Sequence, residues 1–323
     1  MKAAVYYETG PPSVFRYEEV PDPSCPADGV VIDVEVVSIE GGDSLNRAGG
    51  EMASRPHIVG YQCAGVIREA GPNVTDRSPG QRVVAVMAHG SHASMVAVPA
   101  AATWVLPDGI DIQQAACVPI AFGTADDCLF EFGRLQAGET VLIQAGAGGV
   151  GLAAIQLAKR AGATVLATAS SDDKLERLKA FGLDHGINYR ASEFPAEVRR
   201  ITNGRGVDLV VDSVGGRTLQ GSLDSLAYRG RAITVGQAGR DDTPVDVRVL
   251  SAGNRSLTGV FLGAEFAMQP ARTRPMVQRH LEDVATGALK VVVDKVFPLS
   301  DAAGAHAYIE SRQALGRVVM VPD

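Results

Sequence analysis

Two stretches of this sequence have residue types at spacings that could do chemistry. The first is Gly146, Ala147, Gly148, Gly149, Val150 and Gly151, a G-x-G-x-x-G turn. It follows an apolar run at 141–144 and opens an apolar-faced helical run at 152–160. A strand–turn–helix context of this kind is what the motif needs to bind a dinucleotide. Gly146 permits the tight turn, Gly148 lets the backbone approach a pyrophosphate, and Gly151 lets helix and strand pack closely. Free N–H groups at the helix start then face the negative charge.

The second stretch selects the nucleotide. A site for NAD places an acid about 20 residues past the glycine turn, where it binds the ribose hydroxyls. Here the next strand ends in Thr168, Ala169, Ser170 and Ser171, small and neutral, with Lys174 one turn into the following helix. A 2′-phosphate would find hydroxyls, helix-start N–H groups and a cation there. NADPH is therefore the expected cofactor. The competing reading makes Asp172 or Asp173 the ribose-binding acid, although both suit an N-cap and a first turn.

Two kinds of element must position these groups. The first third is strand-like and turn-rich, with runs at 30–37, 64–68, 82–87 and 94–98 separated by Gly, Pro, Asn and Asp. Such short strands suggest an irregular barrel or sandwich. Asp111 can cap a helix near 112–116. From residue 139 a strict alternation sets in: strand 140–144, helix 149–160, strand 164–168, helix 172–181, strand 209–212, helix 218–226, strand 231–235 and strand 256–261. This is the α/β rhythm of a parallel sheet covered on both faces. Helices near 274–286 and 301–311 and strands at 291–297 and 317–321 do not extend that block, so the tail is expected to rejoin the first domain.

The bulk numbers fit this organisation. At 323 residues the chain suits two domains, and 46% hydrophobic with 21% charged residues marks a globular protein. A net charge of −7 without a Lys/Arg run argues against nucleic acid. No apolar stretch is long enough to span a bilayer, so no membrane role is expected. The four cysteines are scattered, with no disulfide framework, and with no signal-peptide core at the start the expected location is cytoplasmic.

These residues resemble the medium-chain dehydrogenase/reductases, in their quinone oxidoreductase (zeta-crystallin-like) branch. The resemblance covers essentially the whole chain. It is carried by Asp43 and Arg47 in the Gly42–Arg47 segment, by Gly60 through Val66, by Gly80-Gln81-Arg82-Val83 and by Thr124-Ala125. The glycine turn, Ser170, Lys174 and Ile187-Asn188-Tyr189-Arg190 complete it. It implies a GroES-like β-rich domain, 1–120 with 263–323, and a Rossmann doubly wound parallel sheet at 121–262. It also implies that Ser170, Lys174 and Tyr189 hold the 2′-phosphate of NADPH.

Zinc-dependent relatives carry Cys, His and Glu at their catalytic site. By this resemblance the Cys-like position, in the loop at 38–43, is Glu40, and the His and Glu positions are Tyr61 and Gln62. A carboxylate, a phenol and an amide do not make a catalytic zinc site, which needs three good donors and an open position. The other metal candidate, His89-Gly90-Ser91-His92, reads as a solvated pair near a turn. No metal is expected. The branch usually has Asn at the Glu40 position, an aromatic near Leu45 or Asn46, and Glu at Gln62, so the acceptor need not be a quinone.

Without a Lewis acid, hydride transfer relies on positioning and on an acceptor needing little polarisation, a quinone or similar conjugated carbonyl. The nicotinamide is expected to face Glu40, Asp43, Tyr61 and Thr124 at the carboxyl edge of the sheet, bordered by Gly236 and the stretch Thr258 to Phe261. Tyr61 would donate to the carbonyl oxygen and Thr124 would orient the carboxamide. Glu40 is left open between a general acid with a raised pKa and a solvated loop acid. Asp43 and Arg47 are expected to pair and hold their loop. The alternatives are an enoyl or alkenal double-bond reductase, or a low-turnover NADPH-binding structural or redox-sensing protein. The apolar strand at 256–261 would lie at the sheet edge and invites a homodimer.

Overall fold

The computed structural model describes residues 1–323. The chain divides into two compact units, Met1–Ile120 with Arg274–Asp323, and Ala121–Thr273.

The first unit is built on β-strands. β1 (Lys2–Val5) and β2 (Arg16–Glu19) form an antiparallel pair. β3 (Gly29–Ser38) is buried on both faces, so only Asp33 and Glu35 interrupt its apolar run. After it come α1 (Gly41–Gly49), β4 (Gln62–Ala70), β5 (Arg82–Val86), β6 (Met95–Pro99) and β7 (Thr103–Val105). β3 pairs antiparallel with both β4 and β6, in registers that set Val37 opposite Cys63 and Ile32 opposite Val96. Asp111 caps the short α2 (Ile112–Ala115) by accepting the Gln114 N–H at 3.0 Å, and α3 (Val118–Asp126) follows.

The segment at 40–49 is a helix rather than the expected loop. Glycines at 41, 42 and 49 lower its intrinsic propensity. It forms because its first turn is anchored: the Asp43 carboxylate accepts the Glu40 N–H at 2.8 Å.

The second unit contains β8 (Thr140–Ile143), α4 (Gly149–Arg160), β9 (Thr164–Ala169), α5 (Asp172–Lys179), β10 (His185–Asn188) and α6 (Phe194–Ile201). It continues through β11 (Val207–Asp212), α7 (Gly216–Asp224), β12 (Leu226–Thr234), β13 (Ser256–Gly259), α8 (Leu262–Met268) and the start of α9 (Pro270–Ala285). Every strand pairing is parallel, in the order β10-β9-β8-β11-β12-β13. The order reverses beside β8, which makes the carboxyl ends of β8 and β11 the topological switch point. This is the parallel sheet that the alternation implied, in the doubly wound Rossmann order that the resemblance implied. β10 and α6 escape sequence periodicity because each buries a single side chain fully, Ile187 and Val198. The unit runs to Thr273 rather than 262, keeping α8 and the first turn of α9.

The tail rejoins the first unit with β14 (Val293–Pro298), α10 (Ala302–Glu310) and β15 (Arg317–Val321). β15 lies antiparallel to β3, Val319 opposite Ser38, and completes a seven-stranded sheet. No helix is long and apolar enough to cross a membrane.

Candidate active site

The glycine turn follows β8 at the switch point. Its left-handed residue is Ala145, at φ 51°, and not Gly146. What Gly146 supplies is room: a Cβ there would lie 2.8 Å from the Ala167 Cβ. At Gly151 a Cβ would lie 2.4 Å from the Ala145 carbonyl oxygen, so this glycine lets the helix meet the turn. Gly148 differs, because a Cβ there would meet only the Ala145 oxygen at 3.3 Å. Its missing side chain leaves a cradle for a ligand, at the N-cap of α4, where the N–H groups of Gly149, Val150 and Gly151 have no acceptor within the helix. A pyrophosphate fits this site.

A buried hydrogen-bonded chain lies beneath the turn. Thr168 Oγ1 donates to Gln144 Oε1 at 2.7 Å, and Gln144 Nε2 donates to Ser222 Oγ at 3.0 Å. Ser222 Oγ donates to Asp212 Oδ2 at 2.7 Å. The chain meets the turn through Thr168, which accepts the Ala145 N–H at Oγ1 (3.2 Å) and the Gly146 N–H at its carbonyl oxygen (2.8 Å). At its other end Asp212 Oδ1 accepts the N–H groups of Val214 and Gly215, each at 2.9 Å. Sequence reading missed this network, whose four side chains come from the turn after β8 and from β9, β11 and α7 with no common spacing.

At the end of β9, the Ser171 hydroxyl caps α5 by accepting the Lys174 N–H at 3.3 Å. The Tyr189 N–H donates to the Ala169 carbonyl oxygen at 3.2 Å, which brings Tyr189 beside Ser170. Ser170, Ser171, Lys174 and Tyr189 thus lie along the chain at one end of the β9–β10 pair. Asp172, the rival ribose-binding acid, lies in the first turn and accepts Asn188 Nδ2 at 3.0 Å, so its carboxylate already has a partner.

The residues around Glu40 form a buried polar cluster in the first unit. Arg317, at the start of β15, reaches across to β3, where it donates to Ser38 Oγ at 2.7 Å and the Ile39 carbonyl oxygen at 2.8 Å. It also forms an ion pair with Glu40. Gln62 Nε2 donates to Glu40, and Gln62 Oε1 accepts the Ile120 N–H at 3.1 Å. Burial pushes the Glu40 carboxyl above its ordinary value, against the opposing pull of the Arg317 guanidinium. Glu40 is therefore not a solvated loop acid. It is a buried acid whose Oε1 accepts from both the Arg317 guanidinium and the Gln62 amide. No group of three or more His, Cys, Asp or Glu in the chain is arranged to hold a metal ion, so zinc does not fit this donor set.

Asp43 and Arg47 are both buried but serve different partners from those expected. Asp43 caps α1, and its other oxygen, Oδ1, has no hydrogen-bond partner. Burial drives its carboxyl well above the usual range, and the nearby Glu40 adds to this. Arg47 pairs with Glu310 of α10 and donates to the Gly10 carbonyl oxygen. Both ends of α1 are thus held by buried ion pairs.

Tyr61 lies beside α1. Its hydroxyl accepts a hydrogen bond from Asn46 Nδ2 at 2.7 Å. Burial, followed by the acids Asp43 and Glu40, raises its pKa above the ordinary phenol value. The phenol consequently keeps its proton and is available as a donor.

The remaining candidates are dispersed. Thr124 is buried on α3, within the second unit. Gly236 follows β12, at φ 156°. Phe261 caps α8 and is 75% exposed. His89 is exposed, but His92 is fully buried, a correction to the solvated pair: its Nε2 lies 3.0 Å from Nε2 of His306 on α10. Sequence reading marked Asn46 only as a place near which the branch usually has an aromatic, and gave no sign of its bond to Tyr61. For Arg317 it had a signal, a lone cation opening an otherwise apolar strand.

Comparison with known proteins places the chain. Residues 26–108 match the alcohol dehydrogenase GroES-like domain, and residues 149–282 match the zinc-binding dehydrogenase family. A 2-haloacrylate reductase of Burkholderia sp is 34% identical over 337 residues, covering 99% of both proteins. The phthioceranic/hydroxyphthioceranic acid synthase of Mycobacterium tuberculosis is 35% identical over 296 residues, 90% of this chain but 14% of that protein. The Escherichia coli quinone oxidoreductase, solved in complex with NADPH, superposes with a TM-score of 0.94 at 28% identity over the whole of both chains. The full-length similarity, the two domain models and the shared fold together show that this chain belongs to the medium-chain dehydrogenase/reductase superfamily.

Proposed function

We propose that this protein is an NADPH-dependent oxidoreductase that reduces a conjugated carbonyl compound without a catalytic metal. The observation that carries this reading is the Tyr61 hydroxyl, whose oxygen already accepts from Asn46 and whose proton is held by a raised pKa. When bound, NADPH supplies the hydride. The open cradle at Gly148, the start of α4 and the group Ser170, Ser171, Lys174 and Tyr189 support a phosphorylated dinucleotide, with Gly236, Phe261 and Thr124 assigned to its nicotinamide end.

Tyr61 hydrogen-bonds the acceptor's carbonyl oxygen and stabilises the negative charge that develops there as the hydride arrives. Because its proton is tightly held, it acts as a donor throughout, and the final proton comes from water. Glu40 is assigned no proton transfer, since Arg317 and Gln62 already engage it. Asp43 fixes the start of α1.

Replacing Tyr61 with Phe should lower the hydride-transfer rate about a hundredfold, the scale for losing one preorganised donor, with the Kd for NADPH unchanged. A stopped-flow NADPH-oxidation screen over quinones, enones and aldehydes, with NADH as control, tests the wider reading. Tight NADPH binding without oxidation by any of them would favour a structural or redox-sensing role instead.

A narrower reading has its own support. The full-length relative named for 2-haloacrylate makes an activated C=C bond a candidate site of hydride delivery. With deuterated NADPH, label at the β-carbon of an enone product would support this, and label at the carbonyl carbon would oppose it.

We also assign a homodimer paired along the β13 edge, where Phe261 and Met268 nearby are 75% and 76% exposed. Sedimentation as a monomer at micromolar concentration would contradict it. The buried thiols Cys63, Cys117 and Cys128 are unpaired, which suits a cytoplasmic setting.

A further inference from the structure

We propose that Gly42 and Asn46, one turn apart on α1, form a seat that fixes the Tyr61 ring and gives its hydroxyl a single direction in which to donate. The inference rests on the proposed role of Tyr61 and extends it to two residues that make no contact with substrate.

The seat has two parts. Residues four apart share a helix face, so Gly42 and Asn46 present themselves together. Asn46 Nδ2 donates to the Tyr61 oxygen at 2.7 Å. An amide N–H cannot accept in return, so the phenolic proton must point elsewhere. Gly42 supplies the space: a Cβ there would lie 2.5 Å from Tyr61 Cε2 and 2.8 Å from its hydroxyl oxygen. Any side chain at position 42 would push the ring off Asn46. This accounts for a glycine inside a helix whose propensity it lowers, at a position where φ is ordinary.

The seat is itself held firmly. A Cβ on Gly50 would lie 2.7 Å from both Cα and Oδ1 of Asn46, so the end of α1 packs closely behind that side chain. The Glu40–Arg317 and Arg47–Glu310 pairs tie the two ends of the helix to β15 and α10. Tyr61 is thereby located by the rigid part of the first unit, as a donor aimed at a developing charge must be.

The test uses Asn46→Ala, Asn46→Asp, Gly42→Ala and Tyr61→Phe in the full-length protein, with 2-cyclohexen-1-one and 1,4-benzoquinone as acceptor probes. Asn46→Asp keeps the shape but turns a donor into an acceptor that captures the phenolic proton. It should lower kcat at least as much as Asn46→Ala, which we expect to lose about tenfold or more, with the Kd for NADPH unchanged. In the Tyr61→Phe background, Asn46→Ala should have no further effect. A second readout needs no turnover. The [13Cζ]tyrosine NMR signal of Tyr61, identified by its loss in Tyr61→Phe, should shift in Asn46→Ala and Gly42→Ala while the other tyrosine signals stay in place.

If Tyr61→Phe is impaired but the Asn46 and Gly42 variants turn over normally, the seat is wrong and the role of Tyr61 stands. If Tyr61→Phe turns over normally, the role of Tyr61 fails. An unmoved Tyr61 signal in Asn46→Ala would overturn the seat in either case.

Discussion

Replacing Arg317 with Met should remove much of the stability of the first unit, and with a particular pH signature. The substitution keeps an apolar stem but leaves Glu40 buried without its cation, and Ser38 Oγ and the Ile39 carbonyl without their donor. Breaking a buried ion pair by removing one partner costs about 3–5 kcal/mol. The carboxyl can limit that loss by taking up a proton, which at pH 7.5, from an ordinary value near 4.3, costs about 4 kcal/mol. The two neutral acceptors add about 1 kcal/mol each, for a total of about 5–6 kcal/mol. Trp104, the single tryptophan, lies on β7 of this unit, so its fluorescence during urea unfolding reports on the right part of the chain. With an m-value of about 2 kcal/mol/M, the midpoint should fall by about 2–3 M. An unpaired Glu40 has a folded-state pKa raised above its unfolded one, so its protonated form is the compatible one. Stability is then retained below the ordinary carboxylate range and lost as pH rises through the raised value. The deficit should therefore be much smaller at pH 5 than at pH 8, and adding Glu40→Gln should recover part of it. A midpoint shift under about 0.5 M, or an equal deficit at both pH values, would refute the reasoning.

Three further outcomes follow from the same geometry. His92 and His306 are buried neutral, with the pKa of His92 lowered to about 3 and that of His306 also well below the ordinary value. The unfolded chain takes up protons below about pH 6.5 that these residues refuse, so each removes about 1.4 kcal/mol per pH unit as pH falls; His306→Phe should remove about half of that slope in Trp104-monitored unfolding. Gly148→Ala and Gly151→Ala should separate binding from folding: the first should abolish NADPH binding with little change in melting temperature, and the second should lower the melting temperature because its Cβ meets backbone. Lys174→Ala should weaken NADPH about 10- to 100-fold by fluorescence titration and leave NADH unchanged, as expected for one charge-assisted hydrogen bond to a phosphate.

The second unit was largely legible in the sequence, because β8, α4, β9 and α5 each bury a full apolar face and are punctuated by glycines and caps. The turn at 146–151 could be placed on its strand and helix, but not its strain, because a positive φ at Ala145 leaves no trace in residue type. α1 was hidden for the opposite reason. Its glycines speak against a helix, and what forms it is an anchored first turn together with ion pairs to Arg317 and Glu310, far away in sequence. Glu40 could be identified as a departure from a metal site, but its role depended on a cation 277 residues away. Local pattern carries information over a few turns, and charges paired across a discontinuous unit lie beyond its reach.

That separation has a bearing on how the polypeptide is made. The second unit is one continuous stretch, Ala121–Thr273, and can finish folding as soon as it leaves the ribosome. The first 120 residues belong to a unit that is completed only by Arg274–Asp323. Until Arg317 emerges, β15, one of the three strands that pair with β3, is missing and the Glu40 carboxylate has no cation to accompany it into the interior. At about 5–20 residues per second, the 277 residues between the two take roughly 15–55 s to synthesise. The nascent first segment must wait that long with an open sheet edge and an unburied acid. A chain ending short of β15 would therefore carry a folded nucleotide-binding unit attached to an amino-terminal segment that lacks one of its strands.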